Sequence, residues 1–208
     1  MRESDKISSN RSSLGDICQV FPGVTARYLK QIDGIDGSNA LALRGKDFTS
    51  LGEFNVEEME PVLVDVGKSS VQRCLLQEGD VVLLARGSAI RAGYVPADVA
   101  VSNIIASANF ILIRPDREKV LGEVITAYIN SFQGREALLK LSGGTAVQQV
   151  PASALRRFNM PVPIIKNQQI VAEIHRASIN AYHETLALAD QQRHAANAAI
   201  VSLLQEVG

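Results

Sequence analysis

The chain has 208 residues, of which 46% are hydrophobic and 21% are charged, and its net charge is −1. This composition is typical of a soluble globular protein and excludes a low-complexity chain. No apolar run approaches the roughly 18 residues that a membrane-spanning helix needs, and the amino terminus shows no apolar signal core. We therefore expect a cytoplasmic protein that has no membrane partner.

The first part of the chain predicts a flexible tail followed by a mixed domain. Residues 1–12 are polar and serine-rich, as flexible tails are. Residues 13–166 contain short apolar segments bounded by Gly, Asp or Pro, which predict strands at 17–21, 61–66, 81–85 and 109–114. Apolar residues then recur at helical spacing over 120–132, and a second short helix is predicted at 135–141. We predict an α+β domain of short strands and helices.

The last part, residues 167–208, predicts one long helix. Asn167 is a plausible N-cap, and neither proline nor glycine follows it before Gly208. About 40 residues at 1.5 Å each would reach about 60 Å. Such a helix is not stable alone in water, so we predict a coiled coil. Its expected seam consists of Ile174, Ala181, Leu188, Ala195, Ala199 and Leu203.

The long helix needs a partner, and the chain contains no second helix of matching length. A homodimer or docking on another protein would supply one. The alternative is a helix that folds back on its own domain.

Charges of opposite sign are segregated along the chain. Residues 47–65 contain carboxylates and no cation: Asp47, Glu53, Glu57, Glu58, Glu60 and Asp65. Residues 135–166 contain Glu136 against these cations: Arg135, Lys140, Arg156, Arg157 and Lys166. Such segregation would allow a nearly neutral protein to present one basic face to phosphates. Ordinary surface variation would give the same pattern, so charge alone leaves both readings open.

Sequence motifs for catalysis are absent. Gly67-Lys68-Ser69 resembles the end of a phosphate-binding loop, but the earlier glycine that this loop requires is replaced by Val62. Ser88 lacks the flanking glycines of a nucleophile elbow. The sequence has neither a zinc-protease HExxH motif nor a glycine fingerprint for S-adenosylmethionine. We therefore predict a non-catalytic protein.

The cysteines and histidines do not form a metal-binding pattern. Cys18 and Cys74 are isolated in sequence, so buried reduced thiols are expected rather than a disulfide or a metal site. His175, His183 and His194 all lie on the predicted long helix, where solvated or seam positions are expected.

Five motifs follow one another along the chain: Leu14-Gly15-Asp16-Ile17, then Leu76 with Gly79-Asp80 and Arg86-Gly87-Ser88, then the apolar segment 109–114, then Ser142-Gly143, and last Met160-Pro161-Val162-Pro163 with Gln168-Gln169-Ile170. In this order they resemble one half of a DNA-specificity subunit of type I restriction-modification systems. The first of the two glutamines stands where the family has glutamate. Each motif is weak alone, and their shared order across residues 13–206 carries the resemblance.

The resemblance implies a target-recognition domain at 13–166 and a spacer helix at 167–208. Full-length members carry two of each, whereas this chain has one of each. The family's antiparallel helix pair would then form between two copies of the chain, and a twofold dimer would read a bipartite palindromic site. The implied partners are double-stranded DNA and modification subunits, with the restriction subunit as a further candidate. No catalytic residue or cofactor of this chain is implied.

DNA contacts are expected from side chains with forked or paired polar groups. Candidates for reading bases are Arg44, Lys46, Arg86, Ser88, Arg91, Gln148 and Gln149. Candidates for contacting phosphates are Arg27, Lys30, Lys140 and Thr145.

Other functions of the same architecture remain open at this point. The chain could be a stand-alone DNA-binding regulator, an anti-restriction module or a purely structural dimer. The acidic stretch 47–65 favours protein docking over DNA binding.

Overall fold

The computed structural model of the chain describes residues 10–31, 39–86, 90–142 and 149–205. The chain divides into two compact units, Met1–Ala172 and Glu173–Gly208. The described strands are β1 Asn10–Ser13, β2 Cys18–Pro22, β3 Lys30–Gln31, β4 Ala40–Leu43, β5 Glu60–Leu63, β6 Val81–Leu84, β7 Arg91–Tyr94, β8 Ile104–Ala106, β9 Phe110–Pro115 and β10 Asn159–Val162. The described α-helices are α1 Leu14–Ile17, α2 Ser69–Gln72, α3 Ala97–Ala100, α4 Gly122–Asn130, α5 Phe132–Leu139, α6 Ala152–Arg156 and α7 Ile165–Gln205. The predicted α+β class with a long carboxy-terminal helix is confirmed.

The central sheet of the first unit is antiparallel, with strand order β2-β9-β6-β7. Every residue of β6 is buried, so its side chains pack on both faces of the sheet. Val82 and Leu84 join the core shared with the second sheet. Val81 and Leu83 join the core shared with the helices. Burial on both faces explains why β6 is a continuous apolar run rather than an alternating one.

A second sheet, β3-β5-β4-β8, covers one face of the central sheet. Its strands β4 and β8 are parallel, while β5 pairs antiparallel with both β3 and β4. Phe48 fills the space between the sheets, with its ring centroid 5.3 Å from that of Phe54 and 5.4 Å from that of Phe110. Both ring pairs have the edge-to-face geometry that aromatic side chains favour.

Helices α1, α4, α5 and α6 contribute the other core, which covers the second face of the central sheet. Val124, Ile125 and Ile129 form the buried stripe of α4, as the helical spacing of the sequence predicts. The predicted helix at 120–132 is shorter than expected because Ser131 ends α4 and caps α5. Its hydroxyl accepts a hydrogen bond from the Gly134 N–H at 3.1 Å.

The predicted tail at 1–12 overlaps the first described strand. Strand β1 begins at Asn10 and pairs antiparallel with β10. Arg11 strengthens this pairing, since its guanidinium donates to the Asn159 carbonyl at 3.1 Å. Pairing with β10 therefore makes residues 10–12 part of a strand, although their polar composition alone predicts a tail.

Helix α7 begins at Ile165, before the predicted N-cap at Asn167. The Ile164 carbonyl accepts hydrogen bonds from the N–H groups of Asn167 and Gln168, at 2.9 and 3.0 Å, so Asn167 already lies in the first turn. Pro163 is the last proline of the sequence and lies two residues before the helix begins. Proline has no backbone N–H and so cannot take part in the hydrogen bonding of a helix interior.

Gln168 anchors the first turns of α7 within the first unit. Its side chain is 1% exposed, and its amide nitrogen donates to the carbonyls of Lys119 and Pro163 at 2.9 and 2.8 Å. Its amide oxygen accepts from the Leu121 N–H at 2.9 Å. A buried amide of this kind is stable because its hydrogen-bonding groups are paired.

A buried ion pair holds one end of the central sheet. Arg114, near the end of β9, donates to both carboxylate oxygens of Asp80 at 2.8 and 2.7 Å. Asp80 is 1% exposed and also accepts from the Gln77 N–H, and Arg114 donates further to the Leu75 carbonyl. The pair thereby fixes the turn before β6 to the end of β9.

We predict that Asp80→Ala lowers the free energy of unfolding by about 3 kcal/mol, because it leaves the partly buried guanidinium of Arg114 without its counter-charge. Urea denaturation measures this change. The matched control is Asp65→Asn, since Asp65 pairs with Lys68 at the surface with its side chain 61% exposed. That variant should lose less than about 1 kcal/mol, and equal losses in the two variants would contradict a structural role for the buried pair.

Both cysteines are free and buried, as predicted. Burial raises the pKa of the Cys18 thiol to about 12, and the negative charge of Asp116 adds to this effect. Burial also raises the pKa of Cys74, whose sulfur donates weakly to the Ser70 carbonyl at 3.4 Å.

Neither thiol should react with a thiol-specific reagent in the folded protein at pH 8. The thiolate is the reactive form, and a raised pKa keeps both groups protonated well above neutral pH. A colorimetric thiol assay should therefore detect no fast-reacting thiol in buffer and both thiols in denaturant. Rapid labelling of the native protein would contradict the burial.

Candidate nucleic-acid interface

The sheet registers bring several polar loops to one end of the strands. Leu84, the last residue of β6, faces both Arg91 and Phe110, the first residues of β7 and β9. Leu43, the last residue of β4, faces Ala106, the last residue of β8. The segments that follow β4, β6 and β8 therefore lie at the same end of the strands. The Asp80–Arg114 ion pair lies at the opposite end. We call Arg44, Arg86, Asn109 and Gln149 the strand-end surface.

Arg86 and Gln149 form the polar pair of this surface. An antiparallel bridge joins their backbones, and the Ala85 carbonyl accepts from the Val150 N–H at 3.0 Å. With its amide oxygen turned toward Arg86, Gln149 accepts from Nε at 3.2 Å and from Nη2 at 2.8 Å. Both side chains are exposed. The structure thus brings together two predicted base-reading residues that are far apart in sequence.

Asn109 completes the strand-end surface and is not among the sequence candidates. Its side chain is exposed, and its carbonyl accepts from the Ala85 N–H at 2.9 Å. Asn109 and Arg44 line the same cleft of about 380 Å³. The polar turn before β9 is the sequence signal that could have identified Asn109 as a site residue. The predicted strand at 109–114 instead included Asn109 in the strand.

Arg44 and Lys46 share one carboxylate. Arg44 lies 2.6 Å and Lys46 3.1 Å from the Glu60 side chain. The Arg44 N–H also donates to Asp47 at 2.9 Å, and burial raises the pKa of Asp47. The acidic stretch 47–65 therefore reaches into the strand-end surface and neutralises part of its charge.

Arg91 has a structural function in addition to its predicted one. Its guanidinium donates to the Thr49 carbonyl at 2.5 Å and to the Phe48 carbonyl, and it lies 5.4 Å from the Phe48 ring centroid. Burial lowers the pKa of Arg91. These contacts hold the 48–49 segment against β7, while the function of Arg91 in reading bases stays a prediction.

A second basic cluster, the Tyr28 cleft, has a volume of about 270 Å³ and is lined by Arg27, Tyr28, Lys30, Asp65 and Lys68, among others. The Arg27 guanidinium carbon lies 4.7 Å and the Lys68 ammonium 5.6 Å from the Tyr28 ring centroid. Lys68 also pairs with Asp65 at 3.3 Å. Lys68 belongs to the Gly67-Lys68-Ser69 motif. The likeness of this motif to the end of a phosphate-binding loop did not indicate that Lys68 lies in this cleft.

The remaining candidates are not connected to these clusters by any described contact. Lys140 is exposed and caps the end of α5. Ser88, Thr145 and Gln148 lie outside the described residues.

The predicted helix seam is uncovered in the single chain. Ile174 is 64%, Leu188 55% and Leu203 63% exposed. The small seam residues Ala181, Ala195 and Ala199 are exposed as well. An apolar stripe of this kind marks a surface that can bury area against a partner.

The described parts of the chain show no metal-binding cluster and no membrane-spanning helix. No group of three or more His, Cys, Asp and Glu residues lies close enough there to hold a metal ion. Among the described helices, none combines the length and apolar character that crossing a membrane requires.

Three solved structures resemble the fold. The HsdS subunit from Thermoanaerobacter tengcongensis has 20% identity and a TM-score of 0.57, over 86% of this chain and 44% of that one. The S subunit of a type I restriction-modification system from M. genitalium has 15% identity and a TM-score of 0.51, over 90% and 43%. A structure from work on assembly and conformational transition of the type I restriction-modification system has 19% identity and a TM-score of 0.58, over 86% and 44%.

These identities show likeness of fold, and the chain spans less than half the length of each of the three proteins. No curated protein matches the chain. A family model, the type I restriction modification DNA specificity domain, matches residues 9–187. Because that match covers most of the chain, the protein belongs to the family of type I restriction-modification DNA specificity domains.

Proposed function

We propose that the chain is the sequence-specific DNA-recognition subunit of a type I restriction-modification system. The observation that carries this proposal is the Arg86–Gln149 pair, exposed on the strand-end surface of a family domain. The proposal assigns the residues up to the start of α7 to target recognition and α7 to spacing and dimerisation.

The paired geometry suits the reading of a base edge. Gln149 holds Arg86 through Nε and Nη2, which leaves the Nη1 edge of the guanidinium for a ligand. An arginine fork in the major groove prefers the O6 and N7 acceptors of guanine, and a side-chain amide such as that of Asn109 suits adenine. We therefore assign base reading to Arg86, Gln149 and Asn109, with Arg44, Lys46 and Arg91 at the margin of the same surface.

Phosphate contacts are assigned to the Tyr28 cleft. Arg27, Lys30 and Lys68 place three cations against one carboxylate there, which leaves the cleft positive. Such contacts position a protein on DNA without specifying sequence. Lys140 and Thr145 are further phosphate candidates, while Ser88 and Gln148 belong with the base-reading group.

The exposed seam of α7 supports an antiparallel homodimer. Pairing between two copies would bury Ile174, Leu188 and Leu203, which the single chain leaves exposed. A twofold dimer would read two inverted half-sites at a fixed spacing, that is, a bipartite palindrome.

The partners that we propose are double-stranded DNA and modification subunits, with the restriction subunit as a further one. The S-adenosylmethionine chemistry would reside in the modification subunits, so this chain would serve as a non-catalytic reader. It would dock these subunits along its helices.

A second candidate is a stand-alone regulator or an anti-restriction module that docks on protein. The observation that favours it is the acidic stretch 47–65, in which Glu57 and Glu58 are exposed and Glu60 neutralises cations of the strand-end surface. Copurification with a modification subunit separates the reader from this alternative.

We predict that selection from random duplex DNA, with and without a modification subunit, enriches a two-part palindrome with constant spacing. Affinity for this site should fall steeply as salt concentration rises, because binding releases cations held at the phosphates and this release becomes less favourable in high salt. Sequencing of the selected pool and titrations at several salt concentrations measure both effects. A pool without enrichment under either condition would favour the protein-docking alternative.

We predict that Arg86→Ala weakens binding to the selected site by about 1–3 kcal/mol and relaxes preference at one base pair of each half-site. Fluorescence anisotropy with the selected site and its single-base variants measures this. Arg117→Ala is the matched control, because Arg117 is an exposed arginine at the opposite end of the same strands. Equal losses for all base variants would assign Arg86 to a phosphate instead.

A further inference from the structure

The two basic regions of the first unit differ in net charge. Among the described residues that line the Tyr28 cleft, three are cations and one, Asp65, is a carboxylate. At the margin of the strand-end surface, Arg44 and Lys46 lie beside two carboxylates, Asp47 and Glu60. A phosphate is attracted by net positive charge, so the second region is a poor phosphate site although it contains two cations. The assignment of DNA contacts does not by itself explain why this margin is neutral.

The sheet register fixes Glu60 beside both cations. Strand β5 runs antiparallel to β4 and pairs Glu60 with Ala42, so the first residue of β5 lies at the end of β4 from which Arg44 follows. The Glu60 Oε2 lies 2.6 Å from Arg44 Nη1, and Lys46 Nζ donates to Oε1 at 3.1 Å. Each carboxylate oxygen therefore holds one cation.

Glu60 and Asp47 act on different parts of the segment after β4. Asp47 is fully buried and accepts a hydrogen bond from the backbone N–H of Arg44 at 2.9 Å. Glu60 contacts the side chains of Arg44 and Lys46, and its own side chain is 32% exposed. Asp47 therefore holds the backbone, whereas Glu60 is the carboxylate that an approaching DNA strand meets.

The cleft of Arg44 and the Tyr28 cleft flank the same short 3-10 helix, Ala26–Tyr28. Ala26 and Leu29 line the cleft that also contains Arg44, while Arg27 and Tyr28 line the Tyr28 cleft. A 3-10 helix rises about 2 Å per residue, so three residues span about 6 Å. A DNA strand held at the Tyr28 cleft therefore brings further phosphates close to Arg44.

A carboxylate between two cations distinguishes a phosphate from a base edge. It repels the phosphate, and it has already neutralised the cations that would attract one. A base edge presents hydrogen-bonding groups without net charge, so the same carboxylate does not repel it. Discrimination between two ligands often depends on such a repulsive element.

We propose that Glu60 is a positioning residue that holds Arg44 and Lys46 away from phosphates and so increases the preference of the strand-end surface for its target sequence. This inference rests on the proposed function of the chain in DNA recognition. It also gives a carboxylate of the acidic stretch 47–65 a function in DNA reading rather than in protein docking.

Glu60→Gln tests the proposal, because it keeps the size of the side chain and removes its charge. Dissociation constants are measured by fluorescence anisotropy for the selected site and for a duplex of unrelated sequence, at several salt concentrations. The variant should bind the unrelated duplex about five-fold more tightly for each cation that gains a phosphate at about 0.15 M salt. The slope of log affinity against log salt should become steeper by about 0.9 for each such contact. The selected site should gain less, so the ratio of the two affinities should fall.

Asp116→Asn is the matched control, since it makes the same change in charge. Asp116 follows β9 directly, at the opposite end of the strands, and pairs with Lys119 at 3.1 Å. This variant should leave both affinities unchanged, and an equal gain would show that overall charge accounts for the effect. Adding Arg44→Ala and Lys46→Ala to Glu60→Gln should abolish the gain, and a gain that persists would overturn the proposal.

The remaining outcomes separate this inference from the proposed function. A wild-type chain that enriches no site would overturn both. A wild-type chain that enriches a site, with Glu60→Gln leaving the affinity for unrelated DNA unchanged, would overturn the inference and leave the proposed function standing. If that variant instead relaxes preference at one base pair only, Glu60 reads a base directly, as a carboxylate that accepts from cytosine N4 does.

Discussion

Burial of the central sheet on both faces is the constraint on which the rest of the first unit depends. Val82 and Leu84 of β6 pack toward the second sheet, and Val81 and Leu83 pack toward the helices. At the interior strand β6, neither face of this sheet is left for a ligand. Polar chemistry is therefore confined to the ends of its strands and to the loops that follow them, where backbone and side chains can meet water.

The two ends of the central strands differ in chemical character. At one end, Asp80 and Arg114 form a buried bidentate ion pair that fixes the turn before β6. At the other end, Arg86 and Gln149 face solvent as a paired polar group. Rigid packing below such a surface limits the positions its side chains can take, which is what discrimination between base edges requires.

Polar contacts of Gln168 hold the first turns of α7 within the first unit. Gln168 pairs all of its amide hydrogen-bonding groups with backbone from two loops, so the direction of the first turns of α7 is fixed. The alanine-rich seam beyond them buries little area per residue but allows close helix approach.

The sequence by itself determined the elements whose signals are local. The apolar run of β6 between Gly79-Asp80 and Arg86, the buried stripe of α4 and the uninterrupted α7 all follow from composition and spacing. Strands β4 and β8 were not predicted because both are short and depend on pairing with each other and, for β4, with β5. Only the tertiary structure decided that Arg86 meets Gln149, that Arg91 holds a neighbouring segment and that Lys68 joins the Tyr28 cleft. Those contacts depend on strand register and packing between distant segments, which no local pattern encodes.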